Sequence, residues 1–346
     1  MPHEQYCRPV IELLEELARS TGFSGAVRVD RGDVTLHEAA HGLAHRAHGV
    51  ANRVDTQFGI ASGQKGLTAL TVMRLVDDGV LALHTPVRSL LGEDLPLIDD
   101  AVTVEHLLAH RSGIGDYLDE SGDFDVTEYV MPVPVQRLLH TADYLPVLDG
   151  HPQLFAPGER FQYCNGGYVV LALLVERAAG EPFHDVVERC VMRPAGLTAT
   201  GFLRNDMLPG SAATGYLDDA TPGWSNVLHL PVRGNGDGGV YTTVGDMCRL
   251  WTAVIAGRVV APATVQLMTS PHSTPATASG SYDYGLGCWL RNPQHTWEWE
   301  GYDAGASFRS GHDRASGITF AVCSNTSEGA WPIANEIGRL VDDGTL

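Results

Sequence analysis

Alternating, strand-like patterns lie at both ends of this chain, and helical patterns fill the space between them. Strands that far apart share a sheet only if the intervening chain leaves and returns. The order therefore predicts an α/β (α+β) fold, an antiparallel sheet flanked by helices and interrupted by a mostly helical insertion. Val10, Leu13, Leu14 and Leu17 recur at helical spacing before Gly22, which reads as an opening amphipathic helix. Ala26, Val27 and Val29, then an Asp-Arg-Gly-Asp turn, then Val34 and Leu36 predict a hairpin. Helical spacing returns over 67–83, 104–110 and 168–179. The runs 288–290 and 318–322 read as strands, and 331–341 as a closing helix. At 346 residues the chain can hold two domains. The expected division is a discontinuous sheet domain, 1–75 with 205–346, around a helical insertion, 76–204.

The charge balance narrows the function classes. With 42 acidic and 23 basic residues the net charge is −19, which argues against a nucleic-acid partner because phosphate binding needs clustered cations. No apolar run approaches the roughly 18 to 20 residues that span a bilayer. The first residues, MPHEQYCRPVIELLEELARS, lack a basic start followed by an apolar stretch, so a cytoplasmic protein is expected. Six cysteines (Cys7, Cys164, Cys190, Cys248, Cys288, Cys323) are scattered without paired spacing and read as reduced, mostly buried thiols.

Lys65 is the only lysine among the 23 basic residues. Arginine supplies charge but does not release its proton, whereas a desolvated lysine amine does. Ser62 lies three residues before Lys65 in FGIASGQKGLTALTVMRLV, so on a helix the two side chains share one face. The apolar face that follows would help lower the amine pKa, making Ser62 a candidate nucleophile and Lys65 its base. A Ser-x-x-Lys tetrapeptide also occurs by chance as a helix start with a surface lysine.

Two further segments bear on the same chemistry. FAPGERFQYCNGGYVVLALLVERAAG places Tyr163 and Asn165 just before an apolar helix. A tyrosine near a lysine cation can act as a general base, and an asparagine amide can bind a substrate carbonyl or stabilise the lysine. In WEWEGYDAGASFRS, Gly301 and Gly305 allow close backbone approach. The N–H of Tyr302 is expected to join that of Ser62 around the oxyanion of a tetrahedral intermediate.

With these residues in place, nearly the whole chain resembles the serine β-lactamase and penicillin-binding-protein-like hydrolases, in particular the branch of class C β-lactamases, D-alanyl carboxypeptidases and esterases. The resemblance rests on Ser62-Gly-Gln-Lys65, Tyr163-Cys-Asn165, FGIAS, VRSLLGEDLPLIDDAVTVEHLLAHRSGIGDY, GGVYTTVGDMCRLW and YGLGCW, in the family's order. It implies a β-lactamase/transpeptidase-like fold and an acyl-enzyme on Ser62. Lys65 and Tyr163 would relay protons, with no metal or organic cofactor. At the third family motif, usually Lys- or His-x-Gly, this chain has Trp299-Glu300-Gly301. Loss of that cation argues against carboxylate-bearing substrates. Trp299 is expected to form an apolar or cation–π wall of the substrate site, with Asn165 and Gly301 also contacting substrate.

The expected function is thus hydrolysis of a small acyl compound, a carboxylic ester first. The alternatives are an amidase or D-aminopeptidase, a weak β-lactamase, or a non-catalytic binding homologue. His37-Glu-Ala-Ala-His41 matches a zinc-peptidase pattern, but its hairpin context and Gly42 predict strand and loop. His110 and Ser112 are expected in a capping or loop role, and Asp116, Asp119 and Glu120 on a loop, solvated or, alternatively, lining the cleft mouth. Asp303 is expected to stabilise a turn, with recognition of a substrate amine as the alternative.

Overall fold

The computed structural model describes residues 2–120, 125–217, 223–276, 282–292 and 296–346, with side chains from Pro9 onward. Seven strands form one sheet: β1 (Gly25–Arg31), β2 (Val34–His41), β3 (Tyr282–Tyr284), β4 (Trp289–Arg291), β5 (Thr296–Asp303), β6 (Ala306–His312) and β7 (Ile318–Ser324). Their order is β2-β1-β7-β6-β5-β4-β3, and every pairing is antiparallel. The first and last strands meet in the middle, with Gly25 opposite Ser324. Five helices matter for the site: α1 (Pro2–Ser20), α2 (Gln64–Asp77), α3 (Asn165–Ala179), α4 (Val244–Ile255) and α5 (Ala330–Asp342).

Both faces of the sheet are covered, and the sequence of β7, ITFAVCS, shows why it sits at the centre: all seven residues are buried. Ile318, Phe320 and Val322 pack with Leu14 of α1 and Ile333 and Ile337 of α5. The alternate residues Ala321 and Cys323 face the larger core with Leu67 and Leu70 of α2 and Trp251 of α4. A strand with apolar groups on both faces has no solvated side and is driven to the middle of the layer.

The expected helix over 67–83 ends sooner, at Asp77. Gly79 adopts φ 71°, and the N–H groups of Val80 and Leu81 fold back onto the Leu75 carbonyl. This left-handed stop is easiest for glycine. The side chain of Cys7 lies outside the described residues, and the other five cysteines are free and buried. His37 and His41 lie on β2, each with Nε2 3.6 Å from a Glu15 carboxylate oxygen. Among the described residues no group of three or more His, Cys, Asp or Glu side chains is arranged to hold a metal ion. None of the described helices is long and apolar enough to cross a membrane.

Candidate active site

Ser62 occupies a short 3-10 turn, Ala61–Gly63, that runs directly into α2. Ala61 holds φ 46°, a left-handed conformation costly for a residue with a Cβ and retained where the surroundings enforce it. Two glycines let those surroundings close in. A Cβ on Gly63 would stand 2.5 Å from the Phe308 ring, and one on Gly301 would stand 2.1 Å from the Ile60 carbonyl oxygen. β5 thus lies directly against the Ser62 turn, and the close approach expected of Gly301 is to this turn.

One helical turn on, the Lys65 amine is 3% exposed and has three oxygens around it. These are Ser62 Oγ, Asn165 Oδ1 and the Asp237 carbonyl, each at 2.8 Å. Burial pushes the amine below its usual range, while Asp237, Glu120, Asp116 and Asp303 pull it upward. A neutral amine has two N–H bonds and one lone pair. Asn165 Oδ1 and the Asp237 carbonyl can only accept, so they consume the two N–H bonds and leave the lone pair aimed at the Ser62 hydroxyl.

Tyr163 hydrogen-bonds the Ser62 side chain, and its ring centroid lies 4.9 Å from Lys65 Nζ. Burial, assisted by Glu120, drives its phenol well above the usual range despite a hydrogen bond with the Ser62 side chain. It is therefore a protonated phenol in the resting site. Of the two roles expected of Asn165, the structure shows the one at the lysine. Its Oδ1 accepts from Lys65, while its Nδ2 donates to the Leu118 carbonyl at 3.1 Å and to Glu120 Oε1 at 2.7 Å. The amide is occupied in holding the lysine and is not a free substrate contact.

Residues 110–120 form a loop that holds the Tyr163–Asn165 segment. Asp116 accepts the backbone N–H groups of Asn165 and Gly166, the first turn of α3, where an anion is favoured. Burial raises its carboxyl to about 6. His110 Nδ1 accepts the Cys164 N–H at 3.1 Å, and its ring lies 4.4 Å from that of Tyr163. Burial, then Lys65, keeps this imidazole neutral, well below its usual range.

Ser62, Glu120 and Tyr302 line both a deeper cavity and a more open groove. Asp237 and Asp303 line the cavity, and Tyr163 and Trp289 the groove. Glu298 presents its carbonyl to Cys288 beside β4, and β4 pairs no further along β5 than Glu298. Alternate residues of a strand direct their N–H groups to the same edge. The Tyr302 N–H therefore falls on the edge left open to the cleft.

The beta-lactamase family model matches residues 10–342. The chain belongs to that family. Esterase EstB of Burkholderia gladioli is 35% identical over 207 residues, covering 55% of this chain and 50% of the esterase. Penicillin-binding protein PbpX of Bacillus subtilis is 25% identical over 264 residues, covering 76% of this chain and 63% of PbpX. The chain thus spans between half and two thirds of these curated relatives. The crystal structure of a penicillin-binding protein from Bacillus halodurans superposes with a TM-score of 0.88 at 34% identity, covering 94% of this chain and 99% of that one.

This beta-lactamase family member departs from expectation at Trp299. The indole is 4% exposed and stacks on Trp251 of α4, with ring centroids 3.9 Å apart. Its Nε1 donates to the Gly287 carbonyl at 3.0 Å. It is core beneath α2, where a Cβ on Gly66 would meet the ring at 2.4 Å, and it is not a wall of the cleft. Glu298 and Glu300 lie on the opposite face of the sheet, as alternation requires, paired with Arg291 and Arg309.

Asp303 accepts the Ala304 N–H, as a turn residue does, yet it also lines the cavity. Burial, followed by the charges of Asp237 and Glu120, raises its carboxyl to about 7. The unfolded chain releases that proton near pH 4 and the native protein near pH 7, so stability falls as pH rises between the two. The variant Asp303→Asn keeps the Oδ1 acceptor and is expected to gain about 4 kcal/mol over the parent at pH ~8, with little difference at pH ~4. Urea unfolding at both values checks this.

Proposed function

We propose that the protein is a serine hydrolase that forms an acyl-enzyme on Ser62 and acts on carboxylic esters. The carrying observation is the Lys65 amine, with two of its three neighbouring oxygens able only to accept and the third being Ser62 Oγ. In this reading Lys65 takes the Ser62 proton as Oγ attacks the carbonyl carbon. Backbone N–H groups of Ser62 and Tyr302 hold the oxyanion. Tyr163, protonated at rest, gives its proton to the departing alcohol and is reprotonated through Lys65. Water then enters by the reverse relay and releases the acid.

Residues 76–204 act as a helical insertion that brings Tyr163 and Asn165 to a sheet domain formed by 1–75 and 205–346. An ester fits better than a substrate needing a carboxylate clamp. Among the described residues no Arg or Lys side chain lines the cavity or the groove, whereas three carboxylates line the cavity. A net charge of −19 favours a small acyl substrate over nucleic acid.

A fluorophosphonate probe tests the reading. Stoichiometric labelling of the folded protein, lost in Ser62→Ala, is expected. An unlabelled, folded parent would instead identify a binding protein on this fold.

A further inference from the structure

Val130, Leu228 and Trp224 are 84%, 79% and 75% exposed, the three most exposed large apolar side chains among the described residues. All three edge one outer groove. Scattered surface apolar residues are ordinary, but a cluster of this kind marks a surface that something apolar covers. The groove adjoins the candidate active site: Tyr129, Met131 and His229 line both it and the cavity that contains Ser62.

The two spaces at Ser62 are chemically unequal. Tyr163, the proton donor to the leaving oxygen, lines the more open groove and not the deeper cavity. The alcohol must lie where that proton is delivered, so the acyl portion points the other way, into the cavity. Resting on the proposed hydrolase reading, we infer that the acyl portion is a long apolar chain running from Ser62 past Met131 into the outer groove beside Trp224.

The bonds balance as in any acyl transfer. Ser62 Oγ bonds to the acyl carbon, the carbon–oxygen bond to the alcohol breaks, and the alcohol leaves with one proton. Water then places its hydroxyl on that carbon and returns a proton to Ser62.

Nitrophenyl esters from acetate to decanoate, which differ only in acyl length, test the inference. We expect kcat/KM to rise about threefold per added methylene over part of the series, carried mainly by KM. Acetate esters of progressively longer alcohols should show no comparable rise. In Trp224→Ser and Leu228→Ser the decanoate-to-acetate ratio of kcat/KM should fall at least about tenfold. A flat or falling acyl series, with turnover still dependent on Ser62, overturns the inference and leaves the hydrolase reading standing. Turnover retained in Ser62→Ala removes the reading beneath it. A concentration-dependent dimer that Trp224→Ser dissociates without changing the chain-length ratio would assign the patch to a second copy of this chain and overturn the inference too.

Discussion

Lys65→Met should lower kcat by about four orders of magnitude while the protein stays folded and KM shifts only a few-fold. Methionine fills nearly the same space without a proton acceptor, so the loss reports chemistry and not a cavity. Lys65→Arg sharpens the experiment. It keeps a cation among Asp116, Glu120, Asp237 and Asp303 but cannot surrender its proton at any working pH. Equal losses in both variants are the expected result. Activity retained by arginine would mean that the amine serves only as a counter-charge, and the proton relay would have to be reassigned. Steady-state rates, with unfolding midpoints measured on the same preparations, decide between these outcomes.

The second large effect falls on a residue with no functional group. In Gly301→Ala the added Cβ would meet the Ile60 carbonyl oxygen at 2.1 Å, so either β5 or the Ser62 turn has to move. Backbone on both sides leaves no flexible side chain to yield. We expect a stability loss of about 3 kcal/mol or more, with kcat reduced at least about a hundredfold in whatever fraction folds, because a small displacement of the nucleophile is costly. Gly210→Ala, where nothing lies within 4 Å of the new atom, is the control and should behave like the parent in both unfolding and turnover.

Some of this site is legible in the sequence because it is local. Ser62 and Lys65 are three positions apart, and Tyr163 and Asn165 lie at the start of an apolar run that reads as a helix. The layer order is legible for a similar reason, since ITFAVCS can only be an inner strand. Asp237 is different: its carbonyl reaches Lys65 across 172 positions, and GNGDGG carries no spacing that announces a catalytic partner. Its glycines were the available signal, for a Cβ on Gly236 would stand 2.1 Å from the Tyr168 carbonyl oxygen, so this segment presses against α3. Trp299 shows the limit of a period-two argument. Alternation places Glu298 and Glu300 opposite Trp299, but it does not say which face of β5 looks into the cleft and which packs under α2. The acids of the 110–120 loop resemble solvated ones until the start of α3 is placed against them.

The meeting of the first and last strands bears on how the molecule comes into being. Ser24 hydrogen-bonds Asn325, 301 positions away, at 2.7 Å, and β1 has no central partner until β7 has been made. During synthesis the ribosome therefore releases the Ser62 segment long before the strand that will carry Tyr302, and loop closure over such a span is slow. β5, which lies against the Ser62 turn, can take its place only after most of the chain has been made.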